Sequence, residues 1–137
     1  MRLPPVPPFP KYFGALLAVY FIASLAHFVH NAEFIAFYPN MPAWLSREKV
    51  YLAWLAIASL GVAGLVVALL GLRTLGALLI GAYGASGLDG LGHYTLALCS
   101  EHTLTSNLTI WFEVISGSVL ALYSVRLALP DHAKEHP

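Results

Sequence analysis

Charge is what this sequence lacks most. Asp, Glu, Lys and Arg make up 10% of its 137 residues, against roughly 25% in an average soluble domain. The formal net charge is zero with neutral histidines, so there is no basic footprint of the kind that binds nucleic acid. Cysteine is almost absent as well. Cys99 stands alone, which excludes an internal disulfide and leaves the redox compartment unreadable. No Glu-x-x-His motif occurs, so the ligand grammar of soluble carboxylate-bridged dimetal bundles is missing.

What is present is apolar: 58% of the residues are hydrophobic. So short a chain cannot bury that much apolar surface within itself. Lipid is the natural place for the excess, and a bilayer core of ~30 Å needs ~20 mostly apolar residues per helix. Four segments satisfy that length, at about 12–37, 47–72, 75–98 and 105–129. The sequence therefore predicts an all-α integral membrane four-helix bundle, a single domain over 1–137 with both termini on the same side.

The punctuation fits this division. Pro39 and Pro42 stop the first segment. Ser46 is suited to cap the second, with Glu48 in its first turn. Gly71 to Gly76 is a short connection, Cys99 to Thr103 a polar loop, and Pro130 closes the last helix. The first apolar run, with Arg2, Lys11 and Ser24-Leu25-Ala26, has the composition of a secretory signal, but is read as the first span. The proline-rich head from Pro4 to Pro10 reads as an interfacial spacer. The tail from Asp131, with His132 and His136, reads as solvated. Trp44, Tyr38 and Tyr94 are expected in the interfacial aromatic belt. Arg2, Lys11, Arg73, Arg126 and Lys134 fall on the side of the termini, and Arg47 and Lys49 on the other. This bias predicts a multi-pass protein of a plasma or inner membrane with cytoplasmic termini.

Ionisable side chains inside spans are costly, by ~2.5–3.5 kcal/mol for Asp at a helix centre, and they mark function by default. Here they are His27, His30, Glu33, Asp89, His93 and Glu113, with His102 in the adjoining loop. At 1.5 Å per residue, His27 and His30 come after ~23–27 Å of the first helix, Asp89 and His93 after ~21–27 Å of the third, and Glu113 after ~12 Å of the returning fourth. All therefore fall in the half of the bilayer away from the termini. Residues three and four apart share a helix face. This groups His27, His30 and Asn31, pairs Asp89 with His93, and aligns Ser106, Thr109 and Glu113, with His102 added by an early helix start.

Imidazole and carboxylate together suit a transition metal. The expected ligands are His27, His30, Asp89, His93 and Glu113, holding Fe, Zn or Cu. Asn31, His102, Ser106 and Thr109 would surround them, and Glu113, Asp89 and Glu33 would do the acid–base work. Such a site would act on a lipid-like or small hydrophobic substrate, by oxidation with Fe or Cu and hydrolysis with Zn.

Four other functions fit the same residues. One is metal-free acid–base isomerisation of a lipid. Another is a b-type haem held by His27 and His93. A third is an accessory subunit whose polar core fixes helix register, in a homo-oligomer or a larger membrane complex. The fourth is a transporter, disfavoured because no continuous polar path crosses one protomer. The run Asn107-Leu108-Thr109-Ile110-Trp111-Phe112-Glu113 resembles one helix of the emopamil-binding sterol isomerases. The resemblance covers that helix alone, the order of acidic and histidine residues differs, and no residue role transfers. It implies only that a His and carboxylate cluster in a small bundle can do acid–base chemistry on a lipid without metal.

Overall fold

A computed structural model describes residues 9–129. Among these residues the chain is helical, with no strand. The elements are α1 (Lys11–Glu33), α2 (Arg47–Leu69), α3 (Arg73–Ala85), a short α4 (His93–Leu96) and α5 (Leu104–Ala128). Three of them, α1, α2 and α5, are long and apolar enough to cross a membrane. The Pro4–Pro8 part of the head and the tail from Pro130 lie outside the described residues.

Local chemistry sets the ends. Pro10 precedes α1, where its missing N–H costs nothing. Beyond Glu33 the backbone tightens into a 3-10 turn at Ile35–Phe37, and then Pro39 and Pro42 forbid helix. Asn40 takes a left-handed φ of 57°, tolerable for its short polar side chain. Its amide donates to the Leu96 carbonyl at 2.8 Å, tying this loop to the end of α4. The Ser46 hydroxyl caps α2 by accepting from the Lys49 N–H, and the Thr103 hydroxyl caps α5 by accepting from the Ser106 N–H at 3.1 Å.

The third segment departs from expectation. It is not one α-helix over 75–98. α3 ends at Ala85, a 3-10 stretch runs through Ser86–Gly92, and α4 is a single turn. Gly87, Gly90 and Gly92 weaken α-helix here. Gly87 also lets the backbone come close to α1 and α5: a Cβ there would lie 3.0 Å from the Glu113 carbonyl oxygen and 3.1 Å from the Tyr20 hydroxyl. Tightening changes phase. Four residues advance ~400° in an α-helix but ~480° at three residues per turn, so Asp89 and His93 no longer share a face. At their respective rises the composite from Arg73 to Leu96 still extends ~40 Å.

α2 packs on α3, α3 on α5, and α1 on both α5 and α2. Glycines set how close they come. A Cβ at Gly76 would meet the Gly64 carbonyl at 2.6 Å, and one at Gly84 the Gly117 carbonyl at 2.8 Å. Backbone therefore lies on backbone at both contacts, as small residues permit in helix assemblies. The core beside them is Phe13, Tyr20, Ala58, Ile80, Tyr83 and Leu120. Tyr20 and Tyr83 pack with tilted rings, 4.6 Å between centroids.

Candidate functional site

At the other end of the helices, where α1 finishes and α5 begins, the interior turns polar. His27, Asn31, His93, His102, Ser106 and Glu113 are all buried there, together with Tyr38. Each arrives for a local reason. His27 and Asn31 are four apart on α1 and share its inward face. His93 opens α4 where the 3-10 stretch turns it inward. His102 comes from the loop, not from an early start of α5, which begins at Leu104. Glu113 lies on the buried stripe of α5 with Ser106, Ile110 and Gly117.

The hydrogen bonds fix the protons. Thr109 Oγ1 donates to the Ser106 carbonyl at 3.0 Å. With its hydrogen committed, it accepts from His27 Nδ1–H at 3.3 Å. His27 Nε2 is thereby the bare nitrogen of the neutral ring, and it faces Glu113 Oε2 at 3.7 Å. The two groups stand close enough to pass one proton between carboxyl and imidazole. Among the described residues no Lys or Arg pairs with Glu113.

A second layer covers this pair. Asn31 Nδ2 donates to His93 Nε2 at 3.4 Å. His102 Nδ1–H donates to the Leu98 carbonyl at 3.0 Å. The His27 and His93 rings meet edge to face at 5.3 Å, and Tyr38 packs at 4.8 Å from His93 and 6.2 Å from His102. The Tyr38 hydroxyl bonds His30 Nδ1 at 2.8 Å. Burial pushes the Tyr38 phenol up from its ordinary value, keeping it in the protonated, hydrogen-bonding form. His30 is half-buried and lines a groove of about 340 Å³ with Phe34, Phe37, Thr103 and Thr105.

Two of the expected acid–base residues lie elsewhere. Asp89 is exposed, turned outward by the 3-10 phase. Glu33 is exposed too. Its Oε1 accepts from Arg47 Nε at 2.9 Å and from the Tyr51 hydroxyl at 2.7 Å, clamping α1 to α2. Among the described residues no three His, Cys, Asp or Glu side chains converge on one point that could hold a cation.

Tyr38 is the residue that sequence reasoning missed. It is 3% exposed and belongs to the site, not to the interfacial belt. The clue available was its place eight residues beyond His30, immediately before a proline that folds the chain back. Tyr94 also looks inward, donating to Asn107 Oδ1 at 2.7 Å and packing on His102. Trp44 is exposed. Cys99 is exposed and its thiol lies 3.3 Å from Asn107 Oδ1. Comparison with family models, with curated proteins and with solved structures gives no match to this chain.

Proposed function

We propose that this protein is a membrane-embedded acid–base enzyme that moves a proton on a lipid-like substrate, with Glu113 and His27 as the working couple. In this reading the chain is a four-helix bundle whose third span is the α3, 3-10 and α4 composite. Both termini lie on one side, the cytoplasmic side by the Lys and Arg distribution. The observation that carries the reading is the 3.7 Å approach of His27 Nε2 to Glu113 Oε2, with Thr109 holding the ring so that its bare nitrogen faces the carboxyl. A couple that holds one proton between an acid and a base can protonate a substrate at one position and accept a proton from another. Shifting a double bond in a lipid requires that exchange and no oxidant. His93, Asn31, Tyr38 and His102 line the approach.

The test is solvent exchange. Purified protein, treated with a chelator, is incubated in D2O with a panel of unsaturated sterol and isoprenoid lipids. Deuterium should enter one of them, and the rate should fall by about 10²–10⁴ in Glu113→Gln and His27→Ala. No incorporation into any member, or incorporation unchanged by Glu113→Gln, would refute the couple.

One observation favours a second reading. A 3.7 Å gap between a nitrogen and a carboxylate oxygen accommodates a cation bonded at about 2.0–2.2 Å to each, and the Thr109 contact is the kind of support a ligating histidine receives. A metal there would take His27 and Glu113 as ligands, and His93 could join only by leaving Asn31. Elemental analysis of protein purified without a His-tag separates the two readings. One equivalent of Fe, Zn or Cu per chain, lost in Glu113→Ala, would replace the metal-free couple.

A further inference from the structure

Two hydrogen-bond acceptors in the polar cluster have no donor. His102 Nε2 and Asn31 Oδ1 are both buried without a partner, and each residue is 7% exposed. His102 cannot escape by rotating. His102 Nδ1 carries the ring hydrogen, because it faces the Leu98 carbonyl, so Nε2 holds a lone pair. Asn31 has turned its amide nitrogen to His93 Nε2, so its oxygen is left over. The other unpartnered groups differ in kind: the Ser24 hydroxyl, which lies beside Glu113, and that of Ser124 can turn onto a carbonyl of their own helix, and Trp54 Nε1 and the Tyr83 hydroxyl are donors. A buried acceptor without a donor is costly, and here two flank one ring, His93.

The surroundings define what would supply the donor. His93 and Tyr38 provide flat apolar faces between the two acceptors. The Tyr38 hydroxyl is held by His30, which lines the groove with Phe34, Phe37, Thr103 and Thr105. Thr103 follows His102 directly in the chain. The groove thus has aromatic walls, and two of its lining residues lead to the cluster: His30 through the Tyr38 hydroxyl, and Thr103 through its chain neighbour His102.

We propose that this is the head-group subsite for the substrate. It takes a lipid alcohol, whose O–H donates to His102 Nε2 or Asn31 Oδ1 and whose hydrocarbon lies along Phe34 and Phe37. The inference rests on the cluster being a substrate site, and its test reads binding, not turnover.

Protein in lipid nanodiscs is titrated with tritiated farnesol, with empty nanodiscs as the partition control. Farnesyl methyl ether and farnesylamine serve as competitors. The alcohol should bind at least about tenfold tighter than the ether, which lacks only the donor. His102→Phe should remove that preference and His102→Gln, which restores a carbonyl acceptor, should recover it. Monodisperse elution of both variants shows that they fold, and Asn31→Leu gives an independent loss. Equal binding of alcohol and ether, as expected if the acceptors hold only water, would overturn the proposal, and so would tighter binding of the amine. Glu113→Gln should keep the alcohol preference. If the preference is present but no lipid exchanges deuterium, the acid–base reading fails and the subsite stands; the converse pair of results removes the subsite alone.

Discussion

Two tyrosines, Tyr20 and Tyr38, divide the molecule. Tyr20 is wholly buried among glycine contacts, packed at a tilt on Tyr83, with its hydroxyl 3.2 Å from Ser86. Its ring is tightly packed: a Cβ on Gly87 or Gly117 would strike it. Tyr38 is nearly as buried, but its neighbours are His27, His30, His93 and His102, and two acceptors beside it lack donors. One end of the helix assembly is closed by shape, backbone on backbone. The other is held by directional polar contacts that stop short of saturation. Shape complementarity leaves no chemistry to do, whereas an unsaturated polar cluster is poised to bind and exchange protons.

The sharpest break of this contrast is at the closed end. Gly84→Leu would force a side chain into the Gly117 carbonyl and Leu120. It should cost about 3 kcal/mol or more, enough to lower the yield of folded protein and collapse its thermal melt in detergent. Leu at Gly92, where a Cβ meets nothing within 4 Å, should leave the melt near wild type. If both variants melt alike, the closed end is not set by glycine contact.

Next come the couple's own residues. Glu113→Gln keeps the size of a buried side chain, so it should lower proton exchange by about 10²–10⁴ with little change in melting temperature. The two tyrosines then give a matched pair. Tyr20→Phe removes one hydroxyl from a filled core and should cost about 1 kcal/mol of stability with exchange unaltered. Tyr38→Phe frees His30 and should slow exchange about tenfold with a similar stability loss. Slowed exchange in both would mean that the hydroxyls act only through packing. The smallest effect is expected at the surface. Arg47→Ala opens the exposed clamp on Glu33, and exposed ion pairs contribute little. Melt and exchange should both stay at wild type, whereas a loss of exchange would return Glu33 to the site.

Much of the fold was readable because apolar length is a coarse, robust signal: α1, α2 and α5 fall where hydrophobic runs of bilayer length occur. The depth arithmetic brought His27, His93 and Glu113 together because it depends on rise per residue, and a few residues of 3-10 helix change it little. Facing direction is less forgiving. Asp89 was misplaced because the phase of a helix is lost within one tightened turn, and the glycines that tighten it act through a contact with Tyr20 and α5 that sequence does not display. Glu33 was lost for another reason. It sits at the last residue of α1, where a long side chain can swing to Arg47 and Tyr51 on the neighbouring helix. Tyr38 was obscured because it is on a loop, whose path periodicity cannot trace.

The state of the His27 ring carries the account. Nitrogen-15 NMR of histidine-labelled protein in lipid, with the His27 signals assigned by their loss in His27→Gln, reads which ring nitrogen holds the proton. The account predicts a proton on Nδ1, donated to Thr109, and an Nε2 signal that shifts when Glu113 becomes Gln. A bare Nδ1 with the proton on Nε2, unchanged in Glu113→Gln, would contradict it.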